Sequence, residues 1–470
     1  MIRLARRHSS PRRHTFSKDL PINPLFVREL TEGVPRARLR SDGLGPDLAY
    51  QVIHDEIAMD GNARLNLATF VTTWMEPQAD RLYAEAVDKN MIDKDEYPQT
   101  AAIEGRCVRM LADLWHAPDP DTTIGVSTTG SSEACMLAGL ALKRRWQIAR
   151  RATGAPTDRP NIVVSSAVQV VWEKFANYFE VEPRYVPVTP EHPTLDADGV
   201  LAAVDERTIG VVPILGVTYT GVYEPVAEIA RALDELYERT GLDIPIHVDG
   251  ASGGFVAPFL EPQLDWDFRL PRVVSINASG HKFGLVYPGL GWVVWRQATD
   301  VPEELIFRVA YLGGDMPTLA LNFSRPGAQV LLQYYTFLRL GREGFTAVHA
   351  SAQRVARMIA DELASLGPFE VIGDGRDIPV VAWRLRPGEV RPWDLNHLSH
   401  ELRAYGWQVP AYPMPDAMSD VTVMRAVVRS EFSADMATLF LDDLAECVEV
   451  LERHGTPPPV HPTVRESFHH

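Results

Sequence analysis

Cysteine is nearly absent, with only Cys107, Cys135 and Cys447 in 470 residues, widely spaced and without a CxxC pair. That excludes a disulfide framework and a thiolate metal site, and it favours a reduced cytoplasmic setting with the thiols buried as small hydrophobes. No apolar run is long enough to cross a bilayer, so stable membrane insertion is not expected. Basic residues are in deficit, 46 Lys and Arg against 62 Asp and Glu, for a net charge of -16. With no extended Lys/Arg run, the chain lacks a face that neutralises phosphates, and nucleic acid is excluded as its main partner. No internal repeat is present.

One segment departs from this balance. Met1 to His14 carries Arg3, Arg6, Arg7, Arg12 and Arg13 with no acid before Asp19, and it reads as a mobile basic arm. The length suits one large domain and a smaller one. The expected division is an N-terminal arm and wrapping segment over 1–60, a large domain over 61–345, a small C-terminal α/β domain over 346–455 and a flexible proline-rich tail over 456–470.

Strand and helix patterns alternate through the large domain. The expectation is strands at Ile162 to Ser165, Val211 to Leu215, Ile244 to Val248 and Gly291 to Arg296, with helices near Val170 to Tyr178 and Val226 to Tyr237. That order implies a mostly parallel central sheet covered by helices on both faces. In such sheets ligands bind beyond the carboxyl ends of the strands, where Ser131, Gln169, Thr218, Asp249 and Ser279 all fall. Lys89 to Thr100 reads as a loop. Beyond Phe345 the pattern gives helices over Thr346 to Leu366, near Asp394 to Tyr405 and from Ser433, with strands at Val380 to Leu385 and Val421 to Val428.

The stretch from Asp249 to Lys282 carries the chemistry. HVDGASGGF places Asp249 at one strand end, and SINASGHKFG presents Lys282 after His281 in a turn of small residues at another. A lysine there can form an imine, and an aspartate ending a neighbouring strand can hold a pyridinium nitrogen protonated, which is how proteins use pyridoxal 5'-phosphate. Asp249 alone could equally be a turn former beside Gly250. Thr129 to Ser132 open a strongly helical run, where the macrodipole favours an anion; an ordinary helix start reads the same way.

Taken together, DGNARLNLATF, DKDEYP, GSSEACML, VQVVWEKF, GVTYTG, HVDGASGGF, SGHKFGL, YLGG, NFSRP and LRAYGWQVPAY resemble, in this order and spacing, the bacterial glutamate decarboxylases of the pyridoxal-phosphate fold type I superfamily. The resemblance covers roughly residues 40 to 455. It implies that Lys282 is the Schiff-base lysine and Asp249 the partner of the pyridine nitrogen. Ser131, Ser132, Ser279 and His281 would form the phosphate cup, with Thr218 contacting the cofactor, Gln169 over its ring and Ala251 beneath it. Ser324 would reach the phosphate of a neighbouring subunit.

For the substrate, the resemblance implies Arg425 at the α-carboxylate, with Arg429 as the alternative. Thr69 and Phe70, with Asn90 and Asp93 from another chain, would surround the distal carboxylate. Asp93 beside a carboxylate is useful only if one of the two is protonated, which ties binding to acidic pH. The expected reaction is decarboxylation of L-glutamate to 4-aminobutyrate by a homo-oligomer, with a dimer as the minimal active unit and a hexamer as a larger form, in a setting such as acid resistance. A terminal His470 on the tail would act as a pH-dependent plug. The competing readings are decarboxylases of aspartate, cysteate or aromatic amino acids, an aminotransferase, or a retired oligomeric scaffold. Gln169 and the DKDEYP cluster speak against the aromatic branch.

Overall fold

The computed structural model describes residues 37–189, 192–309 and 316–454, so the basic arm, all of YLGGD and the tail with His470 lie outside the described residues. Residues up to Gly61 form a unit of their own, and Asn62 onward form a second. In the first, helix α1 (Pro46–Ile57) starts on a proline, which costs nothing at a position whose N–H has no partner in the helix.

The second unit opens with α2 (Pro77–Ala86) and α3 (Pro98–Leu114), each again begun by proline. Lys89 to Thr100 is therefore not all loop, because Pro98 starts a helix. The central sheet follows: β1 (Ile124–Thr128), α4 (Ser131–Ala152), β2 (Asn161–Ser165), α5 (Val170–Tyr178), β3 (Glu182–Val186), α6 (Ala197–Ala203), β4 (Thr208–Val212), α7 (Val226–Thr240), β5 (Ile246–Asp249), the single turn α8 (Ala257–Leu260), β6 (Val273–Ala278) and β7 (Gly291–Trp295). The strand order is β1-β7-β6-β5-β4-β2-β3. Only β7 runs against its neighbours. Strands β2, β4, β5, β6 and β7 are buried at every residue, as a sheet covered on both faces requires.

Strand β4 ends at Val212 rather than Leu215 because Pro213 has no N–H for the ladder, although Ile214 and Leu215 each make an isolated bridge. The consequence for function is geometric. Strands β1, β2, β4, β5 and β6 all point the same way, so the residues that follow them emerge along one edge.

After a short hairpin, β8 (Phe307–Val309) and β9 (Met316–Thr318), helix α9 spans Ala328–Ser365. It begins well before Thr346 and is broken at Gly341, whose φ of 57° combined with a ψ of -169° only glycine adopts without strain. The remaining elements, β10 (Phe369–Asp374), β11 (Val380–Leu385), α10 (Leu395–Ala404), β12 (Ala411–Pro413), β13 (Thr422–Val427) and α11 (Ala434–His454), make an antiparallel sheet ordered β10-β11-β13-β12 with helices packed on it. A second hydrophobic cluster joins Val355, Ile359, Trp383, Leu398, Met424, Phe440 and Leu444, and Leu67 is buried in it. Leu67 accepts from the Val427 N–H at 2.9 Å and donates to the Gln408 carbonyl at 3.0 Å. The segment carrying Thr69 and Phe70 is thereby docked on this smaller sheet.

Candidate active site

Asp249 ends β5 almost fully buried, and three N–H groups hold it in place. Asn277 Nδ2 and the Ala251 N–H donate to Oδ1, each at 3.1 Å, and Trp172 Nε1 donates to Oδ2 at 2.9 Å. The Cys135 thiol lies 3.8 Å from the same Oδ2. A buried carboxylate fixed so completely is acceptor-only, and it can take one further donor.

Lys282 leaves the turn after β6. Its Nζ touches Ser252 Oγ at 3.3 Å and stands 5.0 Å from the centre of the Phe70 ring. Burial lowers its pKa, with Asp249 opposing and the Arg425 charge reinforcing that shift. The backbone around it is clamped from outside: Thr72 donates from Oγ1 to the Lys282 carbonyl at 2.7 Å and from N–H to the His281 carbonyl at 2.8 Å.

The turn into α4 forms a small cup. Gly130 is the N-cap and Ser131 and Ser132 are the first helical residues, with no side chain capping their N–H groups. Ser131 Oγ lies 2.7 Å from Ser279 Oγ, and Ser132 is exposed. A Cβ on Gly130 would come within 3.0 Å of His281 Cε1, so the histidine ring closes one side. His281 Nδ1 accepts from the Leu290 N–H at 3.2 Å, which leaves Nε2 as the protonated nitrogen. Burial, helped by Lys282, lowers its pKa to about 4, so the ring is neutral. Glu133 fastens the turn: it accepts from Thr129 N–H at 2.8 Å and Thr129 Oγ1 at 3.0 Å, and from Leu321 N–H at 3.0 Å.

Arg425 on β13 completes the cluster. It donates to the Thr218 carbonyl at 2.7 Å and the Ala68 carbonyl at 2.6 Å, while its buried Nε has no partner among the described residues. Its guanidinium lies 4.6 Å from the Phe70 ring centre and 5.7 Å from that of Tyr412. Arg429 behaves differently. It bonds the carbonyls of Val71, Ala63 and Asn66 and Thr73 Oγ1, and it pairs with Glu431 at 3.3 Å, so it serves as a latch rather than an open donor.

Lys282, Asp249, Phe70, Arg425, Ser131, Ser279 and His281 thus come together, with Thr218, Thr69 and Ala251 on the backbone around them. Gln169 caps α5, accepting from the Val171 N–H at 2.7 Å, one turn before Trp172. Asn90, Asp93 and Ser324 form a separate patch. Asn90 Nδ2 donates to Asp93 Oδ2 at 2.9 Å and to Ser324 Oγ at 3.3 Å. None of their hydrogen bonds among the described residues reaches the lysine cluster. Trp172, Asn277, His247, Glu133, Thr72 and Tyr412 escape sequence reasoning. The polar residues at alternate positions of the apolar strands IHVD and VSIN were the available signal for two of them.

The donor set fits a phosphorylated pyridine aldehyde. It offers free helix N–H groups and hydroxyls for a phosphate, an acceptor-only carboxylate for a ring N–H, a lysine amine, and an orphaned buried guanidinium nitrogen for an acid. Comparison with known proteins agrees. The pyridoxal-dependent decarboxylase conserved domain matches residues 43–386. A glutamate decarboxylase of Aliivibrio fischeri is 53% identical over 91% of this chain and 92% of its own length. That of Lactococcus lactis is 46% identical over 92% and 93%. Among solved structures, the Lactobacillus brevis glutamate decarboxylase superposes with a TM-score of 0.87 at 47% identity, covering 90% of this chain and 96% of that one.

Proposed function

The chain belongs to the pyridoxal-dependent decarboxylase family, and from that premise we propose that it converts L-glutamate to 4-aminobutyrate and CO2, consuming one proton. The observation that carries this reading is the convergence of Lys282, Arg425 and Phe70 beside the buried Asp249. Pyridoxal 5'-phosphate, when bound, supplies the electron sink for the pair left behind as the carboxylate departs.

The protein's own residues do the rest. Burial lowers the Lys282 pKa, a shift towards the neutral, nucleophilic amine. Asp249 accepts the ring N–H. Ser131, Ser132, Ser279 and His281 hold the phosphate at the start of α4. Gln169, Ala251 and Thr218 border the ring. Two carbonyls orient the Arg425 fork, and its free Nε is left for the α-carboxylate. Thr69 and Phe70 flank the side chain of the substrate. Asn90, Asp93 and Ser324 face the site of a second copy, so the working unit is a homo-oligomer. Asp93 beside a substrate carboxylate favours acidic pH, because two carboxylates share a place only with a proton between them. A cytoplasmic location fits the three buried free cysteines.

The test is to load the protein with pyridoxal 5'-phosphate and measure CO2 and amine from a panel of amino acids. Glutamate should be the preferred substrate, and Lys282→Ala should lose both the visible band of the bound cofactor and gas release. Preference for aspartate, cysteate or an aromatic amino acid would overturn the substrate, and an active Lys282→Ala would overturn the mechanism.

A further inference from the structure

Strands β5 and β6 each bury two polar residues on one face, and the four form a single block. Along β5 these are His247 and Asp249; along β6 they are Ser275 and Asn277, directly paired with them in the parallel register. All four are at most 3% exposed. His247 Nδ1 lies 2.8 Å from Ser275 Oγ and His247 Nε2 lies 2.9 Å from Asn277 Oδ1, while Asn277 Nδ2 donates to Asp249 Oδ1 at 3.1 Å. Trp172 closes the loop from α5. Its Nε1 bonds Asp249 Oδ2, and its ring centre is 5.4 Å from that of His247.

The directions of these bonds are forced outward from the carboxylate. Asp249 as a carboxylate only accepts, so Asn277 must turn its amide N–H towards it and its oxygen towards His247. That oxygen requires a proton on His247 Nε2, and His247 Nδ1 must then accept from the Ser275 hydroxyl. Burial lowers the His247 pKa to about 4, which agrees with a neutral ring carrying one proton. The reverse arrangement would aim the Asn277 oxygen at a buried carboxylate, which low-dielectric surroundings penalise heavily.

We infer that His247 and Asn277 are positioning residues for the cofactor, a fixed relay from Ser275 that holds Asp249 as an acceptor for the pyridine N–H. This rests on the cofactor reading above. The relay has no contact with substrate, so its effect should appear in the bound cofactor itself.

The experiment measures pyridoxal 5'-phosphate affinity of the apoprotein, the visible band of the loaded protein with its pH titration, and the thermal midpoint of each apoprotein. Asn277→Leu and His247→Leu should each weaken binding by roughly tenfold or more, the scale of one lost bond to a charged group, and should shift the band or the pH at which it changes. His247→Gln, whose amide N–H can still donate to Asn277, should restore both. Ser275→Ala, at the far end, should change them least. Variants that lose thermal stability while binding with unchanged affinity and an unchanged band would make the block purely structural and overturn the inference. A wild-type protein that takes up no cofactor would overturn the cofactor reading as well.

Discussion

The guanidinium carbon of Arg425 stands 4.6 Å from the centre of the Phe70 ring, and Lys282 Nζ stands 5.0 Å from the same centre. The Phe70 ring is therefore in contact range of both side chains that the proposed reaction uses. Phe70→Leu keeps apolar volume and removes the π face, so kcat/KM should fall about fivefold, the scale of a single cation–π contact near 1 kcal/mol. Arg425→Lys should cost more, roughly 10- to 100-fold, because an ammonium cannot hold the Thr218 and Ala68 carbonyls and still present a planar fork. Steady-state kinetics on the loaded enzyme would separate the two. Equal, small losses would show that Arg425 does not bind the substrate.

Arg429 should answer to a different measurement. Its donors go to Val71, Ala63, Asn66 and Thr73, all within the segment that carries Thr69 and Phe70. Arg429→Ala strands the part-buried carbonyls of Val71, Ala63 and Asn66 and the Glu431 charge, so urea unfolding should show a loss of about 3 kcal/mol. KM should rise with it as the segment loosens. A variant with unchanged stability and a large kcat defect would reverse the roles given to Arg425 and Arg429.

The alternating strands are legible in the sequence because a covered parallel sheet needs continuous apolar runs, and those runs end where Asp249 and Ser279 begin. Pro213 shows the limit of that reasoning. The apolar run continues past it, but the ladder cannot, so the expected strand slides three residues. Helix α9 shows another limit: the helical connector expected after Gln329 and the helix expected from Thr346 are one element, two helical stretches joined across Gly341. Lys282, Asp249 and the two serines stand out by residue type and resemblance. Asn277 and His247 do not, because a polar residue inside a strand acquires meaning only when the neighbouring strand is in register.

Opposing titrations should shape stability against pH. Burial holds His247 and His281 at a pKa of about 4 and His349 at about 3, all below the ordinary histidine value near 6.5. Unfolded chains bind more protons over that interval. The stability these residues contribute is therefore present above pH 6.5 and is lost as pH falls towards 4, by up to about 3 kcal/mol for each group. Glu224 acts in the other direction. It is buried, accepting from Ile214 N–H at 2.7 Å and Leu195 N–H at 3.1 Å, and burial raises its pKa to about 7. Its contribution is full below about pH 4.5 and is lost as pH rises through 7. Glu224→Gln should thus make the acid-side fall of the apoprotein's thermal midpoint steeper between pH 6.5 and 4.5. A parallel, merely lowered curve would show that Glu224 does not titrate in this range.

Asn90 bonds both Asp93 and Ser324, no hydrogen bond of the three reaches the lysine cluster among the described residues, and the proposed oligomer assigns them to the other copy's site. This makes complementation the sharpest test of the oligomeric proposal. Lys282→Ala and the double variant Asp93→Ala/Ser324→Ala should each be nearly inactive. Mixed under conditions that exchange subunits, they should regain at most about a quarter of wild-type activity: half of random dimers are mixed, and each mixed dimer holds one intact site of two. Recovery requires that the lysine and the Asp93 patch of one site come from different chains, since a site built within one chain stays broken in both parents. Exchange demonstrated by a tagged subunit, with no recovery of CO2 release, would assign the patch to its own chain's site.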